Sequence, residues 1–288
     1  MATILDGRLV SDLLLDKVKT RIEQLSQESI TPKLTVILVG ENPASVSYIK
    51  QKQKSAEKVG LGFELIKYDE SVSQAEVEAK IQELNADINT HGVIVQLPLP
   101  AHFDFPVVLK QVSPRKDVDG FHAYNLGKMF LSKDFESLVP CTPKGIIAML
   151  DHYKLPIQGQ DVVVVGHSNI VGKPMAVMFI NRNATVTVCH KDTKDLAKHT
   201  SQADILVVAV GKPALITADM VKEGAVVFDI GCTKVGDKLK GDVDFEEVRK
   251  KASAITPVPG GAGPMTVTCL IENTLVAYEW LLEHNFEV

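Results

Sequence analysis

Lys52 is the residue whose type and place together promise chemistry. It lies in residues 45–60, SVSYIKQKQKSAEKVG. At about 100° per residue, Lys50, Lys54 and Lys58 share one stripe, as on a solvated helix face. Lys52 points nearly opposite, into the sector of Tyr48, Ile49, Ala56 and Val59. Two readings fit a cation there. Its amine snorkels to water along the helix edge, or it is partly desolvated, which disfavours the charged form and suits it to carry protons. Tyr48, one turn earlier, is either an amphipathic core residue or a surface on which a flat ligand stacks. Gln96, inside the apolar run VIVQLPLP, requires hydrogen-bond partners if buried. It serves either the core or a ligand. Asp117 and Asp119, in RKDVDGFH, form a charged turn or a site, and spacing alone does not separate the two carboxylates.

These residues need a frame to hold them. The first half of the chain alternates apolar and amphipathic segments: strands at 33–40, 62–68 and 92–97, helices at 45–59 and 73–84. Pro98 and Pro100 stop the last strand. This order predicts a parallel α/β sheet, which binds ligands beyond the carboxyl ends of its strands. Residues 112–140 break the rhythm and read as an interdomain loop.

A second frame follows. Residues 161–174, DVVVVGHSNIVGKP, join a β-branched run to Gly166, a polar loop, Gly172, and Pro174 at the start of a helix. Such a turn brings backbone close to phosphates at a helix N-terminus. Strands are expected at 161–166, 184–189, 204–210, 225–231 and 254–258, with helices between them. After PGGAGP comes a long helix over 265–284 that folds back on the first domain. The expected fold is therefore α/β with two domains. Residues 1–140 plus 270–288 form the N-terminal parallel α/β catalytic domain, and 141–269 a Rossmann-like NADP-binding domain. NADP is preferred over NAD because the second strand ends in His190 and Lys191 rather than an acid, although Asp192 follows.

Composition narrows the partners. The chain has 288 residues, 45% hydrophobic and 23% charged, with net charge −5, so no basic excess attracts nucleic acid or an anionic membrane. Its 4 cysteines, Cys141, Cys189, Cys232 and Cys269, are scattered without metal-site or redox spacing and suit free thiols in a reducing cytosol. The charged N-terminal segment and the absence of any apolar run of about 18 residues lead us to expect a soluble, cytoplasmic protein.

In order and spacing, SYIKQKQKSAEKVG, GVIVQLPLP, KDVDGFHAYNLGKM, PCTPKGII, VVVVGHSNIVGKPM and TPVPGGAGPMTV resemble the bifunctional methylenetetrahydrofolate dehydrogenase/methenyltetrahydrofolate cyclohydrolase family. The likeness runs from the first strand to the last helix. It implies oxidation of 5,10-methylenetetrahydrofolate by NADP⁺ and hydrolysis of the product to 10-formyltetrahydrofolate. It assigns Lys52 to hydrolysis and Gln96 to orienting that lysine. Tyr48 and Asp119 then place the folate, Asp119 by gripping the pterin, while Leu97, Gly260 and Gly261 line the substrate. Asp117 remains a turn or salt-bridge residue. Gly166, His167, Ser168, Lys191 and Cys232 match cofactor positions, and no metal is implied. His167 stands where many members have arginine, and Ala262 replaces the valine of PGGVGP. Ser168 occupies the place of the second glycine in a standard G-x-G-x-x-G loop. A homodimer is also implied. Two competing readings are a dehydrogenase lacking the hydrolytic step and a catalytically silent nucleotide-binding scaffold.

Overall fold

The structure, a computed structural model, describes residues 1–25 and 31–284; residues 26–30 and 285–288, both within the expected first domain, lie outside them. Along the chain run β1 (Thr3–Ile4), α1 (Gly7–Leu25), β2 (Lys33–Val39), α2 (Pro43–Val59), β3 (Gly62–Tyr68), α3 (Gln74–Ala86) and β4 (Gly92–Val95). Short helices α4 (Phe105–Leu109) and α5 (Ala123–Met129) precede α6 (Cys141–His152). Then follow β5 (Asp161–Val165), α7 (Gly172–Ile180), β6 (Thr185–Cys189), α8 (Leu196–Thr200), β7 (Ile205–Val208) and β8 (Val226–Asp229). The chain continues through β9 (Thr233–Val235), β10 (Lys238–Lys240), α9 (Phe245–Val248), β11 (Ala254–Ile255) and α10 (Ala262–Glu283).

One compact unit comprises Leu13–Lys128, Glu136–Cys141 and the chain from Val267 onward. Its sheet is parallel, in the order β3-β2-β4. Alternation along β2 gives the sheet two apolar faces. Leu34, Val36 and Leu38 pack with Leu15, Ile49, Ala56 and the α10 residues Leu270, Ile271 and Tyr278. Ile37 and Val39 face Val77 and Ile81 of α3. Each such fully buried aliphatic side chain contributes about 1.5–3 kcal/mol relative to exposure. The C-terminal helix thus packs where the sequence places it, on this first sheet.

Helix α2 begins two residues before the expected start because Asn42 caps it. The Asn42 side-chain oxygen accepts from the amides of Ala44 (3.0 Å) and Ser45 (3.4 Å), and Pro43 fits the first turn, where its missing donor costs nothing. Gly60, at φ 77°, closes the helix in the left-handed region. Beside β4, residues 116–118 form an edge extension: the Val93 amide donates to Lys116 O (2.8 Å), and Val93 bridges Asp117 in parallel. Lys116 is buried and its Nζ donates to Leu84 O (2.9 Å), Asn85 O (2.8 Å) and Asp87 O (2.7 Å), capping the end of α3. Within the same core His91 is held with Nδ1 accepting from the Lys33 amide (3.0 Å) and its ring edge-on to Tyr278.

The other unit comprises Met1–Asp12, Met129–Phe135 and Thr142–Thr266. Its sheet is parallel throughout, in the order β1-β11-β8-β7-β5-β6. The chain leaves β5 for β6 on one side and returns to β7 on the other, which creates a topological switch point at the end of β5. The expected boundaries, 1–140 plus 270–288 against 141–269, need correction at the N-terminus. Thr3 and Ile4 pair with Ala254 and Ile255, so the first strand extends the second sheet rather than opening the first. A two-residue strand has too few apolar positions to reveal its partner from sequence.

Candidate active site

Helix α2 buries Ser45, Ile49, Lys52, Ala56 and Val59, a periodic face that includes the lysine. Lys52 is only 8% exposed, so the snorkelling reading gives way to a lysine enclosed by protein. Its Nζ donates to Gln96 Oε1 at 3.0 Å. Gln96 follows β4 directly, its amide donating to Ile37 O (2.8 Å) at the carboxyl end of the sheet. The other end of its side chain, Nε2, donates to Leu97 O (2.7 Å). That carbonyl also accepts from Ser45 Oγ (3.0 Å). Ser45, Lys52, Gln96 and Leu97 therefore form one connected set.

Tyr48 lies beside this face and is 40% exposed, which leaves its ring accessible on one side rather than packed in the core. The edge extension beside β4 brings in the carboxylates and distinguishes their roles. Asp117 is buried and accepts from the amides of Phe121 (3.2 Å) and His122 (2.8 Å) and from Asn125 Nδ2 (2.8 Å). It is a turn organiser. Asp119 is half-buried. Burial pushes its carboxyl up to about 6, against the opposing pull of the Lys52 cation and with added repulsion from Asp117. An amine and a partly accessible carboxylate thus act on one another at the carboxyl end of a parallel sheet.

In the six-stranded unit, the loop after β5 lies at the switch point. Gly166 has φ 123°, and a Cβ added there would meet Ala209 O at 2.4 Å. At Gly172 an added Cβ would lie 2.0 Å from Gly166 O, so this turn admits backbone only. Ser168 Oγ accepts from the amides of Val171 (3.1 Å) and Gly172 (3.4 Å), replacing a side-chain cap on α7. The helix starts at Gly172, not at Pro174, which falls third, where a missing N–H is still harmless. The rings of His167 and His190 meet edge to face at 4.9 Å, joining this loop to the end of β6. Lys191 is exposed there, and the Asp192 carboxylate leans on His190 Nδ1 at 3.9 Å. A tight backbone cradle beside imidazole and lysine side chains fits a phosphate-rich dinucleotide.

Cys232 follows the carboxyl end of β8, and burial together with Asp229 and Asp242 pushes its thiol up. Gly260 (φ 113°) and Gly261 belong to this same unit, in the turn before α10. Gly7 donates to Gly260 O (2.9 Å), and a Cβ on Gly7 would meet Gly261 O at 1.9 Å, so this glycine turn also packs against the start of α1.

Some participants escape a sequence reading. Ser45 is one, although its place seven residues before Lys52 puts it on the same helix face. Asn125 is another, since only the fold reveals that it holds Asp117. The third is a buried network in which Asp229 accepts from the amides of Gly231 (3.0 Å), Asp242 (2.9 Å) and Val243 (2.9 Å). Asp242 in turn accepts from the amides of Val210 (2.7 Å) and Gly211 (2.9 Å). Nothing in GDVDF, residues 241–245, marks Asp242 as buried.

Residues 5–119 match the tetrahydrofolate dehydrogenase/cyclohydrolase catalytic domain, and residues 140–281 match the NAD(P)-binding domain of the same name. A curated relative, Bifunctional protein FolD of Exiguobacterium sibiricum, is 51% identical over 96% of this chain and 99% of its own. The crystal structure of the bifunctional methylenetetrahydrofolate dehydrogenase/cyclohydrolase FolD from Campylobacter jejuni superposes with TM-score 0.94 at 46% identity, covering 97% of this chain and 99% of that one. The Trypanosoma brucei enzyme, complexed with NADP cofactor and an inhibitor, also gives TM-score 0.94, at 34% identity over 98% of each chain.

Proposed function

The chain belongs to the tetrahydrofolate dehydrogenase/cyclohydrolase family, and on that premise we propose a division of labour among its residues. The protein is a bifunctional enzyme of one-carbon metabolism. It oxidises 5,10-methylenetetrahydrofolate with NADP and hydrolyses the methenyl product to 10-formyltetrahydrofolate.

In the hydrolytic step a water oxygen bonds to the carbon of the methenyl cation and becomes the formyl oxygen, the bond from that carbon to one nitrogen breaks, and of the water's two protons one passes to that nitrogen while the other is released to solvent with the cation's charge. Lys52 Nζ carries the proton that reaches the nitrogen. Gln96 Oε1 fixes the direction of Nζ, and Ser45 holds the adjoining Leu97 carbonyl. Tyr48 stacks against the folate, Asp119 accepts hydrogen bonds from the pterin, and Leu97 contributes to the substrate wall. Gly260 and Gly261 bring backbone toward the substrate. The observation that carries this reading is the enclosed lysine bonded to Gln96 and held in the field of Asp119.

NADP, when bound, supplies the hydride acceptor. Gly166 and Ser168 form the cradle suited to its phosphates, His167 and Lys191 the donors suited to the 2′-phosphate, and Cys232 a wall on the nicotinamide side. The backbone-only turn at Gly166 and Gly172 supports this fit. Oxidation then depends on alignment rather than on a dedicated acid or base.

A homodimer and a cytoplasmic location belong to the same proposal. Exposed Val235 and Leu239 on the β9–β10 hairpin support association, and four cysteines outside any disulfide, three of them buried, support a reducing compartment. Among the described residues, no helix is long and apolar enough to cross a membrane. The deciding experiment follows methenyltetrahydrofolate absorbance, with NADP⁺ and NAD⁺ compared in the coupled reaction. Wild-type protein turns over methylenetetrahydrofolate with NADP⁺ and clears the methenyl product. Lys52→Met suppresses hydrolysis, and a wild-type rate in that variant refutes the lysine assignment.

A further inference from the structure

None of the roles above uses the buried carboxylates of Asp229 and Asp242, which are 3% and 0% exposed. They join the carboxyl ends of two adjacent strands. Asp229 ends β8, and its oxygens take the amides of Gly231, Asp242 and Val243. Asp242 Oδ2 takes the amides of Val210 and Gly211, just past β7. The main chain around the pair is pressed onto the charge. A Cβ on Gly231 would overlap the Asp242 carboxylate, and one on Gly241 would overlap Asp229 Oδ2. Cys232, the next residue after Gly231, is exposed, so the pair stands one residue behind the surface assigned to the nicotinamide side.

The charge of the pair is not cancelled locally. Asp242 Oδ1 is buried without a hydrogen-bond partner, and among the described residues no cation pairs with either carboxylate. After burial itself, both carboxylates push the Cys232 thiol up, so their negative field reaches that surface. Charges enclosed by protein are screened less than charges in water. A nicotinamide ring is cationic in NADP⁺ and neutral in NADPH, while the phosphates of the two forms are the same.

We propose that Asp229 and Asp242 select the oxidation state of the cofactor, their buried negative charge holding NADP⁺ more tightly than NADPH. During oxidation a hydride carries two electrons from the methylene carbon to the ring, and the positive charge passes from the ring to the folate as the methenyl cation. The carboxylate pair thereby loses the charge that it attracts. Capture of NADP⁺ and release of NADPH are both favoured. The inference rests on the placement of Cys232 beside the nicotinamide.

The unpartnered oxygen makes Asp242→Asn a clean probe. The asparagine oxygen can accept from Val210 and Gly211 as Oδ2 does, and its NH₂ takes the place of Oδ1, where no hydrogen bond is lost. Isothermal titration calorimetry on the full-length protein, without folate, gives Kd for NADP⁺ and for NADPH at pH 8. Loss of the charge should lower the ratio Kd(NADPH)/Kd(NADP⁺) by about tenfold, the effect of one unit charge at roughly 12 Å through an effective dielectric of about 20. Kd for NADPH itself should move by less than about twofold. Circular dichroism confirms that the variant is folded. Wild type gives a second reading. Burial pushes the Asp229 carboxyl up to about 6, and among the described residues the titratable groups that act with it are Asp242 and Cys232. Protonation removes a negative charge, so the wild-type ratio should fall about twofold from pH 8 to pH 6.

An Asp242→Asn ratio equal to that of wild type overturns the proposal. This holds even when both affinities fall together, since that is the mark of a purely structural carboxylate. Should the variant fail to fold, the wild-type profile decides, and a ratio that stays flat from pH 8 to pH 6 overturns the proposal. Alkylation of Cys232 by iodoacetamide, read by mass spectrometry, tests the placement separately. NADPH should slow the labelling, and 2′,5′-ADP, which lacks the nicotinamide, should not. Equal labelling with the two ligands refutes the placement and the proposal with it, whereas protection by NADPH with an unchanged affinity ratio refutes the field alone.

Discussion

If Gln96 acts by aiming Lys52, replacing it with alanine should damage hydrolysis only while the lysine is present. The structure sets the size of the effect. Gln96→Ala removes the 3.0 Å hydrogen bond that Lys52 Nζ makes to Oε1 and leaves an enclosed amine without that acceptor. A hydrogen bond to a charged group contributes about 1.5–3 kcal/mol, which corresponds to a loss of about 10- to 150-fold in hydrolysis. Lys52→Met removes the proton carrier itself and should lower hydrolysis by about 10²–10⁴-fold. The two losses should not add. In the Lys52→Met background, Gln96→Ala should change the rate by less than about twofold, because there is no amine left to orient. The assay is the decay of methenyltetrahydrofolate absorbance in stopped flow for wild type, both single variants and the double variant. A thermal melt of each protein separates orientation from a folding defect, since Gln96→Ala also removes the 2.7 Å bond to Leu97 O. Additive losses in the double variant would refute the orienting role, as would a Gln96→Ala rate equal to wild type.

Four further outcomes are expected. Asp119 offers two charged acceptor oxygens only when ionised, and burial pushes its carboxyl up to about 6, so KM for methylenetetrahydrofolate should rise by up to about tenfold from pH 7 to pH 5; a flat profile that matches Asp119→Asn removes it from folate binding. Burial, aided by the Lys116 and Lys33 cations, pushes His91 down to about 4. Its folded value is depressed, so its stabilisation is complete above the unfolded value near 6.5 and is lost as pH falls toward 4, by about 3 kcal/mol in urea titrations, and a stability curve unchanged by His91→Gln over that window contradicts this. Gly172→Ala places a Cβ 2.0 Å from Gly166 O and should weaken NADP binding together with thermal stability, so unchanged Kd and Tm would contradict the backbone-only turn. His167→Ala and Lys191→Ala should each lower the NADP⁺ to NAD⁺ ratio of kcat/KM, and a ratio that neither moves refutes their assignment to the 2′-phosphate.

The sequence disclosed those parts whose physics is periodic or local. Lys52 stood out because a cation broke the apolar stripe of α2, and the enclosed side chain repeats that contradiction in three dimensions. The β5 valines and the glycines at 166 and 172 announced a buried strand and a tight turn for reasons confined to fourteen residues. What remained hidden depends on partners distant in sequence. Spacing gave no means of telling Asp117 from Asp119, since the difference lies in Asn125 and two amides that fold back on the first and not on the second. Thr3–Ile4 carried no mark of its pairing with Ala254–Ile255, some 250 residues away along the chain. Asp229 and Asp242 carried no mark of their buried network, because backbone amides, which no side-chain pattern records, satisfy them.

The Leu97 carbonyl also acts as a reference for polarity. A glutamine side chain is nearly symmetric in shape, and turning its amide over would present N–H groups to the lysine instead of an oxygen. A carbonyl accepts only donors, so Leu97 O selects the nitrogen end of Gln96 and thereby leaves Oε1 toward Lys52. Ser45 steadies that carbonyl from the helix that bears the lysine. The selecting atom belongs to the main chain, so exchanging the side chain at position 97 can reshape the substrate wall without inverting the dipole that faces the amine. On the proposed assignments, substrate preference and the aim of the proton carrier would rest on different atoms of one residue, and each could change without erasing the other.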